Sequence, residues 1–445
     1  MANELNRRTF MKAAALAAGP AIISAQGQNN KINVGWIGVG TRGRYGIQWL
    51  HDAAPNDVAV PAICDTCGPY LTGAPSINVK GGIATTQQYW GTAPKTYSDY
   101  RELLADKSID AVFIMTPEHL HKDMAVAALG AGKHVYLEKP IAHTIDEGHA
   151  VIDAWQKSGK ICQIGTQNRS SGLYKKAKEW IDQGMIGEVH YARSFWYRNR
   201  LMVNNSPAPA WRYNIPVEAN PQNTDWNRFL GTAPKRAWDP HRYFQWRLYW
   251  DYSNGIATDL MVHQTDIINF MCGKSTPNSV MAAGGVYRYT QDDDRDAADT
   301  FSALFEYPGN FHINYSSYLG NQREGYGEHI LGNDGTIVIE NRTDLYYSPE
   351  TDPGVDPKIK ARKGIHMMND AAPGIKQGGK SDFAEVDGVQ SHFKNFIASI
   401  KGTEKPIAPP PVGQEAAIGG HLATLAYKNQ KRVVWDATEK KYSFS

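Results

Sequence analysis

The chain lacks the features that mark several classes of protein. Four cysteines among 445 residues are too few for a disulfide-built scaffold. The close pair Cys64 and Cys67 lacks the second pair that a structural zinc site requires, so a redox pair or a strand end remains, and no metal is expected. The 47 basic and 45 acidic residues nearly cancel and form no long basic run, which excludes a nucleic-acid binder as the expected class.

Long hydrophobic runs are also missing. The longest apolar stretch near the N-terminus, residues 13–23, is about half of the ~20 residues that a membrane-spanning helix needs. It follows a twin-arginine pattern at residues 6–12 and precedes the small residues Ser24 and Ala25. We therefore predict a twin-arginine signal peptide over residues 1–27, export to the periplasm or cell exterior, and no membrane segment after its removal. An amphipathic first helix is the alternative.

The remaining chain divides by its hydrophobic pattern. Short apolar runs alternate with helical patterns as far as residue 160, which predicts βαβ units and a Rossmann-type parallel sheet over residues 31–160. Beyond that point apolar and polar residues alternate along the strands, and Pro308-Gly309-Asn310 marks a turn. We predict an α/β protein whose second domain, residues 161–445, is α+β with an open, mainly antiparallel sheet and C-terminal helices. A sheet open on one face predicts a homo-oligomer.

A glycine-rich turn follows the first predicted strand. Gly38 permits the tight turn, Gly40 lets the backbone approach a pyrophosphate, and Gly43 lets helix and strand pack closely. Asp65 ends the second predicted strand, where a carboxylate accepts hydrogen bonds from a ribose diol and repels a 2′-phosphate. The pattern favours NAD over NADP, and the alternative is a glycine turn without a ligand.

Three further segments carry a resemblance to a known family. They are the run His134-Val135-Tyr136-Leu137-Glu138-Lys139-Pro140, the loop Thr116-Pro117-Glu118-His119-Leu120-His121, and the spacing Gly255, Asp259, His263, Asp266. Together with the glycine turn they resemble the Gfo/Idh/MocA oxidoreductases, which include glucose–fructose oxidoreductase and inositol dehydrogenase. The signal and the run Gly165-Thr166-Gln167-Asn168-Arg169 resemble an exported subgroup related to the NAD-dependent α-N-acetylgalactosaminidases.

The resemblance implies roles for individual residues. It places Lys139 beside the nicotinamide and a substrate hydroxyl, where a cation polarises the oxygen. It makes His263 the base that takes the hydroxyl proton, supported by Asp259. Cofactor contacts are also expected from Thr41, Arg42, Thr116, Pro117, His121, Glu138 and Gln167.

Two readings remain open for several side chains. His263 shares a helical face with Ile267 and Phe270, so it is either the base or a buried core histidine. The aromatic residues from Trp238 to Tyr252 either stack on a sugar or pack a core. His121 either contacts the ligand or caps its helix. The candidates for sugar binding are Arg169, Tyr197, Trp211, Arg212, Trp246 and Asp266.

Three functions fit these features. The first is an NAD(H)-dependent oxidoreductase of a sugar, cyclitol or glycoside that keeps its cofactor bound, because free NAD(H) is scarce outside the cytoplasm. The second is a redox-neutral glycosidase, in which the cofactor takes hydride and returns it after elimination. The third is a non-catalytic sugar-binding protein that contains NAD. The sequence leaves the first two unresolved.

Overall fold

The computed structural model describes residues 31–73, 81–199, 201–203, 206–291, 293–350 and 385–445, so the predicted signal peptide lies outside the described residues. The strands that build the first sheet are β1 Ile32–Ile37, β2 Val58–Cys64, β3 Lys95–Tyr97, β4 Ala111–Ile114, β5 His134–Leu137 and β6 Cys162–Ile164. They lie in the order β3-β2-β1-β4-β5-β6 and are all parallel. Every residue of β4 is buried, as expected for a strand covered on both faces.

Helices connect these strands. In the first half they are α1 Thr41–Ala53, α2 Gly68–Thr72, α3 Gly82–Trp90, α4 Tyr100–Ala105, α5 His121–Gly130 and α6 Ile145–Ser158. Thr144 caps the N-terminus of helix α6, and its hydroxyl accepts a hydrogen bond from the Glu147 N–H in a complete capping box. The strand order reverses between β1 and β4, and ligands of such folds bind outside the carboxyl ends of the strands at this point.

The second sheet contains nine described strands. They are β7 Val189–Trp196, β10 Ser279–Gly285, β11 Thr300–Tyr307, β12 Phe311–Tyr318, β13 Tyr326–Gly332, β14 Gly335–Glu340, β15 Asp344–Pro349, β16 Val433–Asp436 and β17 Lys441–Phe444. A separate ribbon pairs β8 Leu201–Val203 with β9 Ser206–Ala208. Only β7 and β12 pair in parallel within the nine-stranded sheet. Buried and half-buried residues alternate along β12, so one face packs against helices. The structure confirms the predicted fold class.

The remaining helices cover the second sheet and return to the first. They are α7 Gly172–Asp182, α8 Trp226–Leu230, α9 Pro240–Phe244, α10 Val262–Cys272, α11 Glu385–Ile400 and α12 Pro410–Asn429. A single π-helical turn, Ala257–Met261, leads directly into α10. No helix among the described residues is both long and apolar enough to span a membrane.

The boundary predicted at residue 160 differs from the packing. Strand β6 follows that residue and still belongs to the parallel sheet. Helix α11 also lies against this sheet, with the Phe393 ring 5.0 Å from the Tyr136 ring. The helical pattern of α11 shows an apolar face but does not show which of two sheets that face covers. The C-terminal segment therefore completes the core of the first domain.

Candidate active site

A cavity of about 770 Å³ lies between the two halves of the chain. The first half contributes the glycine turn, Asp65, Thr116, Pro117, Glu138 and Lys139, and the second half contributes Gln167, Trp246, Arg247, Asp259 and His263. The structure therefore brings most predicted cofactor residues together with the predicted catalytic residues Lys139, Asp259 and His263.

The glycine turn has a different requirement at each glycine. Gly38 adopts a φ of +94°, and a Cβ there would lie 2.8 Å from the Met115 carbonyl oxygen. A Cβ on Gly43 would lie 2.0 Å from the Gly38 carbonyl oxygen, so Gly43 serves packing and does not line the cavity. Gly40 lines the cavity, and the nearest described atom to its Cβ would be in Tyr70, 3.7 Å away. The space at Gly40 is therefore left for a ligand, which fits the pyrophosphate of NAD.

Asp65 is held by backbone groups at the mouth of the turn. Its carboxylate accepts hydrogen bonds from the N–H groups of Val39, at 2.8 Å, and Cys67, at 2.9 Å. Burial raises the pKa of this carboxyl, and those two N–H groups oppose the rise. The Tyr243 hydroxyl donates a third, longer hydrogen bond to the carboxylate at 3.4 Å. Since a carboxylate has about four acceptor positions, Asp65 keeps capacity for one hydrogen bond from the predicted ribose.

A segment of the second half, residues 223–228, covers the end of strand β2 beside Asp65. We call this segment the ribose-edge strap. Its backbone donates from Asp225 to the Thr66 carbonyl at 2.8 Å and accepts from Gly68 at Asn223, also at 2.8 Å. Arg228 in the strap forms an ion pair with Asp99 at 3.3 Å. The strap thus connects the predicted substrate domain to the end of strand β2.

Arg42 and Glu138 connect the glycine turn to strand β5. The Arg42 guanidinium donates twice to one Glu138 oxygen, at 3.1 and 3.0 Å, and both side chains line the cavity. The guanidinium also lies over the Trp49 ring, 4.9 Å from its centroid. Because the pair neutralises both charges, Glu138 contributes little negative field at the neighbouring Lys139.

Lys139, Asp259 and Arg247 form a compact charged group. The Lys139 ammonium donates to the Asp259 carbonyl at 2.7 Å and to its carboxylate at 3.2 Å. Arg247 Nε donates to the same carboxylate oxygen at 3.0 Å. Burial alone would raise the pKa of the Asp259 carboxyl, but Lys139, Arg247 and Arg198 hold it well below its ordinary range. Asp259 is therefore ionised, and one proton of Lys139 remains for a ligand oxygen.

His263 is buried at the same end of the cavity. Burial and the Lys139 charge lower the pKa of its imidazole well below the ordinary value, so the ring is neutral at neutral pH. Its Nδ1 is buried and has no hydrogen-bond partner among the described residues. The sequence predicted that Asp259 would orient this ring. In the structure the Asp259 carboxylate instead accepts hydrogen bonds from Lys139 and Arg247, whose positive charges attract it more strongly than a neutral imidazole does.

Sequence reasoning did not assign a role to Glu118, which lines the cavity and is nearly fully buried. Its carboxyl accepts hydrogen bonds from the Thr258 hydroxyl, at 2.8 and 3.0 Å, and from the Asn254 backbone at 2.5 Å. Burial raises its pKa to about 7. The signal was its position within the Thr116–His121 loop, where a carboxylate followed a strand end. Glu118 ties that loop to the turn that carries Asp259.

The aromatic stretch serves two purposes. Trp246 lines the cavity, as do Tyr243 and Phe244, whereas Trp238 and Tyr252 pack around Trp226 in the core. Trp196 and Tyr213, which sequence reasoning did not assign, also line the cavity. Neither reading of the stretch was complete, because its irregular turns direct neighbouring rings to opposite sides.

Several predicted sugar-binding residues lie away from the cavity. Arg169 and Asp266 form a buried ion pair in which the guanidinium donates three hydrogen bonds of 2.7 to 3.0 Å. Arg212 binds Asp293 and Asp294, each at 2.6 Å. Because each of these charged side chains is paired with an opposite charge of the protein, none of them is directed into the cavity as the sugar-binding prediction required.

Two more of the predicted sugar-binding residues, and one predicted cofactor contact, also lie outside the cavity lining. Trp211 is almost fully buried, and the Tyr197 hydroxyl lies 2.9 Å from Ser316. His121 is buried, with its ring nitrogens 2.7 Å from the Pro140 carbonyl and 2.9 Å from the Thr116 carbonyl. Its contact with the cavity is therefore indirect, through the loops that these carbonyls belong to.

Each half of the chain matches a known protein family profile. The family profile "Oxidoreductase family, NAD-binding Rossmann fold" matches residues 32–166, and the "GFO/IDH/MocA C-terminal domain" matches residues 231–338. The chain is 34% identical over 158 residues to inositol 2-dehydrogenase of Salmonella typhimurium, covering 35% of this chain and 43% of that protein. It is 28% identical over 236 residues to a glycosyl hydrolase family 109 protein of Shewanella pealeana, covering 47% and 50%.

A solved structure of levoglucosan dehydrogenase with NADH and levoglucosan superposes with a TM-score of 0.62 at 19% identity, covering 94% of this chain and 99% of that one. The two sequence alignments span no more than half the length of either curated relative. The two profiles together match more than half of the chain, on both sides of the cavity. The protein therefore belongs to the Gfo/Idh/MocA oxidoreductase family, and its first domain is the NAD-binding Rossmann domain of that family.

Proposed function

We propose that the protein is an NAD(H)-dependent oxidoreductase that acts on a sugar, cyclitol or glycoside and keeps its cofactor tightly bound. The observation that carries this proposal is the shared cavity, in which the open glycine turn meets Lys139, Asp259 and His263. The aromatic lining and charged donors suit a sugar, which has apolar C–H faces and a rim of hydroxyls.

The residues of the site divide the chemistry between them. Bound NAD supplies the hydride acceptor at the substrate carbon. Lys139 donates a hydrogen bond from its remaining N–H to the reacting oxygen and stabilises the negative charge that develops there. His263, neutral in the resting site, takes the hydroxyl proton. Asp259 holds the Lys139 ammonium in position. In the reverse direction the same groups return the proton.

The test begins with the purified protein. Nucleotide released by denaturation should be NAD(H), and mixing the intact protein with a panel of sugars, cyclitols and glycosides should produce the absorbance of reduced nicotinamide. Protein that retains no nucleotide, or that retains NADP(H), would contradict the cofactor assignment. Intact NAD-containing protein that never changes absorbance and releases no product would leave only the non-catalytic binding function.

A second function is favoured by the similarity to a glycosyl hydrolase family 109 protein. The same groups could run oxidation, elimination of the aglycone, hydration and reduction in sequence. An assay with nitrophenyl glycosides separates the two, because release of the phenol without net change in nicotinamide absorbance indicates the redox-neutral route.

We further propose export by the twin-arginine pathway to the periplasm or cell exterior, on the basis of Arg7 and Arg8 and the apolar stretch that follows. Replacing both arginines by lysine should retain the protein in the cytoplasmic fraction. Equal export of the variant would contradict this route.

We also propose a homo-oligomer formed through the open sheet. Met281 and Leu304 lie opposite each other on β10 and β11 and are 53% and 41% exposed. Lysine at both positions should dissociate the oligomer in analytical ultracentrifugation, and a wild-type protein that sediments as a monomer would contradict it.

A further inference from the structure

The guanidinium of Arg247 has hydrogen-bond donors that no described residue of the protein accepts from. Its Nε is committed to Asp259 at 3.0 Å. Its two terminal nitrogens have no acceptor within hydrogen-bond distance among the described residues, and the side chain lines the cavity. We propose that these nitrogens bind a carboxylate on the substrate, so that the preferred substrate is an acidic sugar of the uronic acid type. This inference rests on the proposed function and specifies its substrate class.

The Arg247 guanidinium is also fixed in orientation. It lies 4.2 Å from the centroid of the Trp246 ring and 5.7 Å from that of Tyr213, and both rings line the cavity. Aromatic contacts on the guanidinium and the Asp259 bond on its Nε leave the terminal edge directed away from both. A planar fork of this kind matches a carboxylate, which it can bind with two parallel hydrogen bonds.

Other arginines of the chain are arranged differently. A terminal nitrogen of Arg169 donates to Asp266, and one of Arg212 donates to both Asp293 and Asp294. In each of these cases the carboxylate partner is supplied by the protein. Arg247 uses only its Nε in this way, so its two terminal nitrogens are left for the cavity.

The electrostatic field at this end of the cavity favours an anion. Lys139 and Arg247 share the single carboxylate of Asp259, and Glu138 is already paired with Arg42. Glu118 has a pKa of about 7 because of its burial, so near neutrality it carries only part of a negative charge. An anionic substituent would restore the balance of charge, whereas a neutral hydroxyl would not.

The experiment compares sugars that differ at one carbon. NAD-loaded protein is titrated with D-glucuronate against D-glucose, and with D-galacturonate against D-galactose, by calorimetry and by tryptophan fluorescence. A charge-assisted pair of hydrogen bonds predicts that the acidic member of at least one pair binds roughly 10- to 100-fold more tightly. Arg247→Gln should abolish that preference, and Arg247→Lys should restore part of it.

The matched control is Arg236→Gln, which removes an exposed guanidinium bound to Asp251 outside the cavity lining. It should leave the preference for the acidic sugar unchanged. Failure of both uronates to bind, or binding no tighter than that of their neutral counterparts, would overturn the inference. So would an Arg247→Gln variant that loses affinity for acidic and neutral sugars equally, since Arg247 would then serve only to hold Asp259. Neutral sugars that reduce the bound cofactor without a preference for uronates would leave the proposed oxidoreductase intact and reject this substrate class alone.

Discussion

The Glu118 carboxylate accepts a hydrogen bond of 2.8 Å from the Thr258 hydroxyl, which joins the loop after strand β4 to the residue before Asp259. Both partners are buried, and the two residues belong to different halves of the chain. The bond therefore fixes the position of Asp259 relative to the nucleotide-binding sheet. The pKa of the Glu118 carboxyl is raised to about 7, so the hydrogen bond between Glu118 and Thr258 is sensitive to pH near neutrality.

The first prediction concerns the stability of Glu118→Gln. Burial raises the pKa of Glu118 to about 7 in the folded protein, above its value in the unfolded chain. The folded state thus holds the proton to a higher pH, and the contribution of Glu118 to stability falls as pH rises through about 7. Glutamine cannot ionise, so the melting temperature of the variant relative to wild type should increase between about pH 5 and pH 8. A difference in melting temperature that does not vary with pH would show that Glu118 does not titrate in this range.

A second prediction compares two glycines of the same turn. Gly43→Ala should disrupt folding, because its Cβ would lie 2.0 Å from the Gly38 carbonyl oxygen. Gly40→Ala has 3.7 Å of clearance from the protein and should fold normally but lose the bound nucleotide. Circular dichroism and measurement of released NAD(H) check both variants. A Gly40→Ala protein that retains a full complement of NAD(H) would contradict the assignment of that space to the cofactor.

The third prediction is that Lys139→Ala abolishes turnover while leaving NAD bound. The ammonium is the donor available to the reacting oxygen, so its removal should lower kcat by roughly 100-fold or more. Lys178→Ala is the control, since this lysine pairs with Asp182 on the surface of α7. Turnover of Lys139→Ala within a few-fold of wild type would remove Lys139 from the mechanism.

The fourth prediction separates the two readings of His263. If the imidazole is the base, His263→Ala should slow single-turnover reduction of the bound cofactor by roughly 10²–10⁴-fold. If it only packs the core, the variant should melt at a lower temperature, yet its folded fraction should reduce the cofactor at the wild-type rate. The position of His263 in the cavity lining, beside Lys139 and Asp259, favours the first outcome. Stopped-flow absorbance and a thermal melt on the same sample distinguish them.

Local sequence signals predicted the parts of the site that depend on local geometry. Gly38 and Gly43 follow from the turn itself, whereas the role of Lys139 follows from the resemblance of its strand-end motif to the family. The Arg169–Asp266 pair was not predictable in this way. Each side chain has the chemistry of a ligand contact, and only the fold shows that the two neutralise each other across about a hundred residues of chain.

Arg247 and Glu118 line the cavity, yet the sequence did not predict a role for either of them. Arg247 lies within the aromatic stretch, and the sequence does not reveal which of its nitrogens the protein uses. Glu118 lies within the Thr116–His121 loop, and the family resemblance of that loop assigns it no individual role. The irregular segments between 211 and 256 direct each side chain individually, and no periodic pattern encodes that choice.

Helix α11 has a consequence for biosynthesis. Val389, Phe393 and Phe396 pack with Trp36 and Phe113, so the hydrophobic core begun by the first described strand is closed by a helix near the end of the chain. While the ribosome is still translating, the emerging nucleotide-binding domain therefore exposes an aromatic surface. Domains that fold during synthesis normally complete their cores as they emerge, but this one must wait until Glu385–Ile400 has been synthesised. A chain that terminates before residue 385 would leave this aromatic surface exposed and would be a substrate for chaperone capture and degradation.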